Sequence, residues 1–99
     1  MSQYIYKPSV TTSSGSWTGD TMNIVPGLCC QIYVKSASSD TTFDIKIENS
    51  YSVEIQKITN ITEVVNDLTK LPVNGVLTFT IENASADESF TLHMVVEEF

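Results

Sequence analysis

Few side chains in this 99-residue chain could do chemistry, and none has partners at a spacing that chemistry needs. His93 is the single histidine, and it lies between Leu92 and Met94, where the alternation of a β-strand would turn it outward. No nucleophilic serine, carboxylate pair or glycine-rich phosphate loop is patterned around it. We interpret His93 as a surface residue, and we expect no enzymatic activity and no cofactor.

The two cysteines, Cys29 and Cys30, are adjacent, so a strand would place them on opposite faces of a sheet, where they cannot form an unstrained disulfide. We expect Cys30 to be buried as a small apolar residue and Cys29 to be half exposed. No Cys-x-x-Cys or Cys/His spacing supports a metal site. Asp40 and Asp87 lie in two polar runs without the spacing of a calcium loop, so we expect them to cap turns. The sequence therefore predicts neither a disulfide nor a metal site.

Charge excludes several classes of partner, because twelve acidic residues oppose five lysines, arginine is absent and the net charge is −7. Proteins that bind nucleic acid or anionic membranes need basic contact surfaces, so we expect neither partner. The docking face of a large protein partner is expected to be neutral or basic. The apolar runs are too short to cross a bilayer, which takes about 20 residues. Residues 1–8 lack the pattern of a secretory signal, so we expect a cytosolic chain.

A strand–turn–strand pattern occurs twice, over residues 27–48 and again over 75–96. In each copy apolar residues alternate with polar ones, a polar run containing Ala, Ser and Asp follows, and the alternation resumes at a phenylalanine. Adding 47 to a residue number in the first copy gives its equivalent in the second, so Phe43 corresponds to Phe90. Alternation on both sides of a polar turn predicts a β-hairpin, and we expect one in each copy.

The repeat and the regular turn signals predict an all-β fold, an antiparallel β-sandwich that is Ig-like or jelly-roll-like, with seven to eight short strands and a duplicated hairpin. A strand at Val53 and Ile55 should pair with residues 42–48. Residues 58–68 fit a short helix or an extended crossing, and their β-branched side chains favour the extended form. The side chains expected in the core are Cys30, Ile32, Val34, Phe43, Ile45, Ile47, Leu77, Phe79, Ile81, Phe90, Leu92 and Met94.

Residues 1–20 differ from the rest of the chain, because a Ser/Thr-rich run leaves them few apolar side chains. We therefore divide the chain into an N-terminal arm, 1–20, and a single sandwich domain, 21–99. Ordering a polar residue costs roughly 1 to 2 kcal/mol, so we expect residues 1–16 to be mobile in isolation and to order against a neighbouring subunit or particle. Trp17 pins the arm to its own sandwich or reaches a neighbour, and we favour its own sandwich. The expected partner-binding residues are Tyr4, Ile5, Tyr6, Val10 and Trp17.

Three runs, residues 39–47 (SDTTFDIKI), 71–81 (LPVNGVLTFTI) and 84–90 (ASADESF), resemble segments of small β-sandwich virion proteins of tailed bacteriophages. The resemblance extends over residues 28–96 and consists of a strand-and-turn pattern. It implies a non-enzymatic structural protein of the capsid-decoration or cement type, or a related tail or head–tail accessory. Such a protein binds the major capsid protein or another virion protein, and it is located in the virion after synthesis in the host cytoplasm.

A carbohydrate-binding or adhesion module is the alternative function, because some β-sandwiches present a platform of aromatic side chains to a sugar. Tyr33, Tyr51 and Trp17 are the residues available for such a platform, and they form no obvious row in the sequence. We therefore rank the virion role above the sugar-binding role. Self-association into a homo-oligomer is left open.

Overall fold

The computed structural model describes residues 2–99, apart from the side chains of residues 20–23. The described residues form antiparallel β-strands and no helix, which confirms the predicted all-β class. In this part of the chain there is accordingly no helix long and apolar enough to cross a membrane. The strands are β1 (Gln3–Tyr6), β2 (Val10–Thr11), β3 (Trp17–Ser36), β4 (Thr42–Glu48), β5 (Glu54–Thr62), β6 (Val64–Glu82) and β7 (Ser89–Glu98).

Two strands are longer than a small sandwich can hold if they are straight, since β3 has 20 residues and β6 has 19. A straight strand of that length would extend for about 65 Å, whereas the longest dimension of the molecule is 37 Å. β3 therefore bends, and its pairing with β6 shifts register at residues 19–22, 24–27 and 29–31. Gly27 permits the central bend, because a Cβ atom there would collide with the carbonyl oxygen of Glu97. The predicted number of strands is correct, but these two are long instead of short.

The bends divide β3 into β3a (17–24) and β3b (27–36), and β6 into β6a (64–73) and β6b (75–82). The first layer has the strand order β1, β7, β3b, β6a, with β2 extending the outer edge of β7. The second layer has the order β3a, β6b, β4, β5. Hydrogen bonding continues along β3 and β6 from one layer to the other, and the apolar faces of the layers share one core, which is the predicted sandwich.

The two copies of the repeat pair with each other. Val34 lies opposite Leu92, and Ile45 lies opposite Ile81. Adding 47 to 34 and to 45 gives 81 and 92, so the two pairings are equivalent under the repeat. The first strand of each copy therefore pairs with the second strand of the other copy, and each polar turn crosses from one layer to the other. Each copy is a strand–turn–strand unit as predicted, but its two strands do not form a hairpin ladder with each other.

This pairing of early strands with late strands, which we call the strand exchange, extends to the whole chain. All six ladders between the described strands join a strand that ends by Glu48 to a strand that begins at or after Glu54. The loop at residues 49–53 therefore separates two halves, and neither half contains a ladder of its own among these six.

Eleven of the twelve side chains expected in the core are buried. The exception is Cys30, which is half buried, while Cys29 is fully buried. The register shift between Cys29 and Gln31 explains the reversal, because a bulge moves the following side chains to the other face. Residues 58–68 are extended, with β5 and β6 meeting at Glu63, and β5 pairs with β4 as expected. The helical alternative is wrong.

Candidate interaction surfaces

The residues considered for chemistry do not converge on a catalytic or metal site. His93 lies half buried on the outer side of the first layer, with its ring centroid 5.8 Å from that of Tyr33. Burial raises the pKa of the Cys29 thiol to about 11, so this thiol is a poor nucleophile at neutral pH. Over the described part of the chain, no three His, Cys, Asp or Glu side chains cluster as metal ligands would.

A cleft of about 320 Å³ is lined by uncharged residues. It lies beside the bends of β3 and β6, and none of its lining side chains is ionisable. The exposed ring of Phe99 forms part of its wall. The lining side chains therefore supply no acid or base for a reaction. Its lining residues are Pro26, Asn49, Ile55, Pro72, Val73, Asn74, Leu77 and Phe99.

Asp87 joins the second polar turn to the Ser/Thr-rich run near the N-terminus. Its carboxylate accepts hydrogen bonds from the backbone N–H groups of Ser14 and Gly15, at 3.1 and 2.9 Å. Gly15 has a φ of +79°, in the left-handed region that favours glycine. Asp87 was expected to cap its own turn, and it caps a turn of another segment instead. Asp40, the matching residue of the first copy, is exposed.

Glu88 joins the two polar turns to each other. Its carboxylate accepts hydrogen bonds from the backbone N–H of Ser38 at 2.6 Å and from the hydroxyl of Thr41 at 2.7 Å. The bond from Thr41 is the main reason that the pKa of Glu88 lies below its usual value. The hydroxyl of the buried Thr12 donates to the carbonyl of Ala86 and accepts from the N–H of Glu88, both within 3.1 Å. These hydrogen bonds hold the two polar turns and the segment around Thr12 together at this end of the sandwich.

The five expected partner-binding residues have different environments. Tyr4 and Ile5 are exposed on β1, at the edge of the first layer. Tyr6 is half buried, and its hydroxyl accepts a hydrogen bond from the N–H of Val25. Val10 is buried and Trp17 packs against the core of the same chain. Tyr4 and Ile5 are therefore the two whose side chains remain available to a partner in the free subunit, and partner binding by the set stays a prediction.

The outer side of the first layer carries few charges, and we call it the neutral face. Three rows of paired residues cross it. The side-chain amide of Gln31 donates to that of Asn66 at 2.7 Å near its centre. Among the described residues, charged side chains lie only at its rim: Lys35 with Glu63 at 3.7 Å on one end, and the exposed Lys70 and the half-buried Glu97 on the other. The rows are Ile5–Val95–Gln31–Leu68, His93–Tyr33–Asn66 and Thr91–Lys35–Val64.

The outer side of the second layer is densely charged, and we call it the charged face. Two ion pairs lie on it, Lys46 with Glu48 at 3.9 Å and Lys57 with Glu82 at 3.8 Å. Asp44 accepts hydrogen bonds from the side chain of Asn83 and the backbone N–H of Asn60, and the bond from Asn83 contributes most to lowering the pKa of Asp44. The register places four acids and two lysines on this face: Asp44, Glu48, Glu54, Glu82, Lys46 and Lys57.

Sequence reasoning missed the neutral face although it favoured an extended form for residues 58–68, because it assigned no outward-facing positions in that segment. In the structure Val64, Asn66 and Leu68 alternate outward along β6a, with a period of two. The three aromatic residues considered for a sugar platform do not share one surface, since Tyr33 lies in the first layer, Trp17 begins β3a, and Tyr51 is 86% exposed in the loop after β4.

No known protein family matches this sequence, and no curated protein does so either. Among solved structures, the fold is similar to the core of Drosophila NLP, described for its pentamer formation and histone binding. The TM-score is 0.57 and the sequence identity is 17%, with 99% of this chain and 100% of that chain covered. At this identity the similarity establishes the fold of this chain.

The similarity corrects several predictions made from the sequence. The resemblance to phage virion proteins is wrong, because the fold is similar to that of a core described for histone binding and not to that of a phage accessory protein. The capsid-decoration function, the capsid or virion partner and the virion location are wrong for the same reason. The alternative function in carbohydrate binding is contradicted as well. The pattern behind the resemblance is one that any alternating β-sandwich shares, so it carried no information about partners.

Proposed function

We infer that this chain is a self-associating, non-enzymatic binding module whose partner is a basic protein of the histone class. The observation that carries the proposal is the match between whole domains, since 99% of this chain superposes on all of a core that forms pentamers and binds histones.

Charge supports the same partner independently. The chain carries a net charge of −7, and three of its five lysines already lie within 4 Å of a glutamate. The positive charges are therefore locally compensated, and the remaining acids set the sign of the surface potential. Such a potential extends for about 8 Å at physiological salt and attracts a basic partner before contact. The expectation of a neutral or basic docking face on the partner thus agrees with a histone.

The charged face is the surface that best fits the basic partner. It places Glu48 directly opposite Glu54 on neighbouring strands, where only one of the two, Glu48, lies near a lysine. Like charges opposite each other in a sheet destabilise it. A bound cation from a partner relieves that repulsion, so arginine or lysine side chains are suited to this position.

The test is a titration of the purified protein with core histones at low and physiological salt, followed by sedimentation velocity. We expect saturable binding that weakens as salt rises, and a sedimenting mass for the free protein that is a multiple of 10.9 kDa. Lysozyme, a basic protein unrelated to histones, controls for charge alone. The combined substitution Glu48→Gln and Glu54→Gln should weaken histone binding by roughly tenfold. Failure of wild-type protein to bind histones at low salt would refute the proposal.

A further inference from the structure

We propose that the neutral face is the surface through which one copy of this chain contacts another. The inference rests on the self-association in the proposed function, and it assigns that association to the outer side of β1, β7, β3b and β6a. A second copy of this chain covers the neutral face, and this contact excludes the basic partner from it.

The distribution of charge favours a second copy of this chain over the basic partner as the ligand of the neutral face. Two copies of a chain with a net charge of −7 repel each other, so a stable contact must avoid apposing their acids. On the neutral face the rim charges of the described residues are two lysines and two glutamates, which cancel. A basic protein would gain nothing there, because it needs uncompensated carboxylates. The charged face has the opposite property, with two more acids than lysines.

Exposed aliphatic side chains on this face supply a reason to associate. Leu68 is 75% exposed, Ile5 is 57% exposed and Val64 is 42% exposed. Leu68 and Ile5 are the two ends of one row across all four strands, with Gln31 and Val95 between them. A second copy that covers this row removes apolar area from water, which is the main favourable term in protein association.

The polar groups of the neutral face suit burial in a contact between copies. Gln31 and Asn66 satisfy part of each other's hydrogen bonding through a 2.7 Å bond, and Tyr33 stacks near His93 at 5.8 Å. Uncharged amides and hydroxyls cost far less to desolvate than carboxylates do. Depletion of charge at the centre with charges at the rim is the usual anatomy of a protein interface.

The experiment compares Leu68→Glu and Ile5→Glu with Val53→Glu by sedimentation velocity on the purified full chain. Val53 is 55% exposed and lies in the loop between β4 and β5, outside the neutral face, so its substitution adds the same charge elsewhere. We expect each of the first two variants to weaken self-association at least about tenfold and V53E to leave it unchanged. All three side chains are exposed, and circular dichroism with a thermal melt checks that each variant folds.

The outcomes separate this inference from the proposed function. An oligomeric wild type whose mass is unchanged in both L68E and I5E overturns the neutral-face contact and leaves histone binding standing. A wild type that sediments as a single chain overturns the contact and the proposed self-association together. If L68E dissociates into subunits that still bind histones, both are supported, because the two functions then lie on different faces.

Discussion

Phe43 and Phe90 are equivalent residues of the repeat, and they meet in the core. Their rings are 5.0 Å apart between centroids at an angle of 82°, an edge-to-face contact. Both side chains are buried. The contact therefore joins the two copies of the repeat at the point where each copy leaves its polar turn and enters its second strand.

Replacing either phenylalanine by alanine should lower the free energy of unfolding by about 3 to 5 kcal/mol, because each change leaves a cavity in a packed core. The double variant should lose about 0.5 to 1.5 kcal/mol less than the sum of the single losses, since the ring contact is removed only once. Urea denaturation measures all four proteins. Tyr51→Ala is the control, as that ring is exposed. Strict additivity would show that the rings do not interact.

Cys29 and Cys30 differ in accessibility although they are neighbours. Cys29 is buried with a raised pKa, whereas Cys30 is half buried. We expect a thiol reagent at neutral pH to label one thiol per native chain, and peptide mapping to identify it as Cys30. Denatured protein should label at both. Preferential labelling of Cys29 in the native protein would show that the bulge does not reverse the alternation.

Alkaline pH should destabilise the protein through Cys29. The thiol keeps its proton in the folded chain up to a pKa of about 11, but the ordinary value of 9.0 applies when the chain is unfolded. Between these values the unfolded state binds fewer protons, so the free energy of unfolding falls as pH rises. Denaturation from pH 8 to 11 should show a steeper fall for wild type than for Cys29→Ala. Parallel curves would exclude this contribution of Cys29.

At the scale of elements, the first sixteen residues contain two pieces with different attachments. β1 pairs with β7 at the edge of the first layer and exposes two of its side chains. Farther along, Val10 is buried and Thr12 is hydrogen-bonded to the second polar turn. The expectation that residues 1–16 are mobile in isolation can therefore be tested separately for β1 and for the segment that contains Val10 and Thr12.

Deleting residues 2–7 should lower the melting temperature slightly, because it removes one edge strand. Deleting residues 2–12 should lower it by more, since the loss then includes Val10 and the hydroxyl of Thr12. Thermal denaturation of both proteins provides the comparison. Equal melting temperatures for the wild type and the 2–12 deletion would support a mobile arm over the whole segment.

The positions of strands and inward side chains were predictable because the alternation of apolar and polar residues depends only on neighbouring residues in the sequence. Pairing partners were not, since a strand–turn–strand copy buries the same face as a hairpin or as a crossing between layers. The bulge at Cys29 gave no local signal. For the candidate surfaces, net charge predicted a neutral or basic docking face on a partner, which stays a prediction. The neutral face combines Ile5, Gln31 and Leu68, which are distant in the sequence and meet only through strand order.

For the whole molecule, the loop at residues 49–53 marks a natural place to divide the chain. A fragment of residues 1–50 and one of 51–99 should each be unfolded alone, because all six ladders of the described strands join one half to the other. Mixing them should restore β-structure, measured by far-ultraviolet circular dichroism. Scrambled versions of one fragment serve as controls. A fragment that folds on its own would contradict the exchange of strands between halves.

The strand exchange between the two halves also determines when each strand can pair during synthesis on the ribosome. The first copy of the repeat is complete at residue 48. Its β4 can pair with β5 once residue 62 is made, but β7, which pairs with β3, ends only at Glu98. At about 5 to 20 residues per second, the edge of β3 that pairs with β7 stays unpaired for roughly 2 to 10 seconds. Such a segment is prone to aggregation. We therefore expect newly made chains to be most prone to aggregation during that interval, whatever the stability of the finished domain.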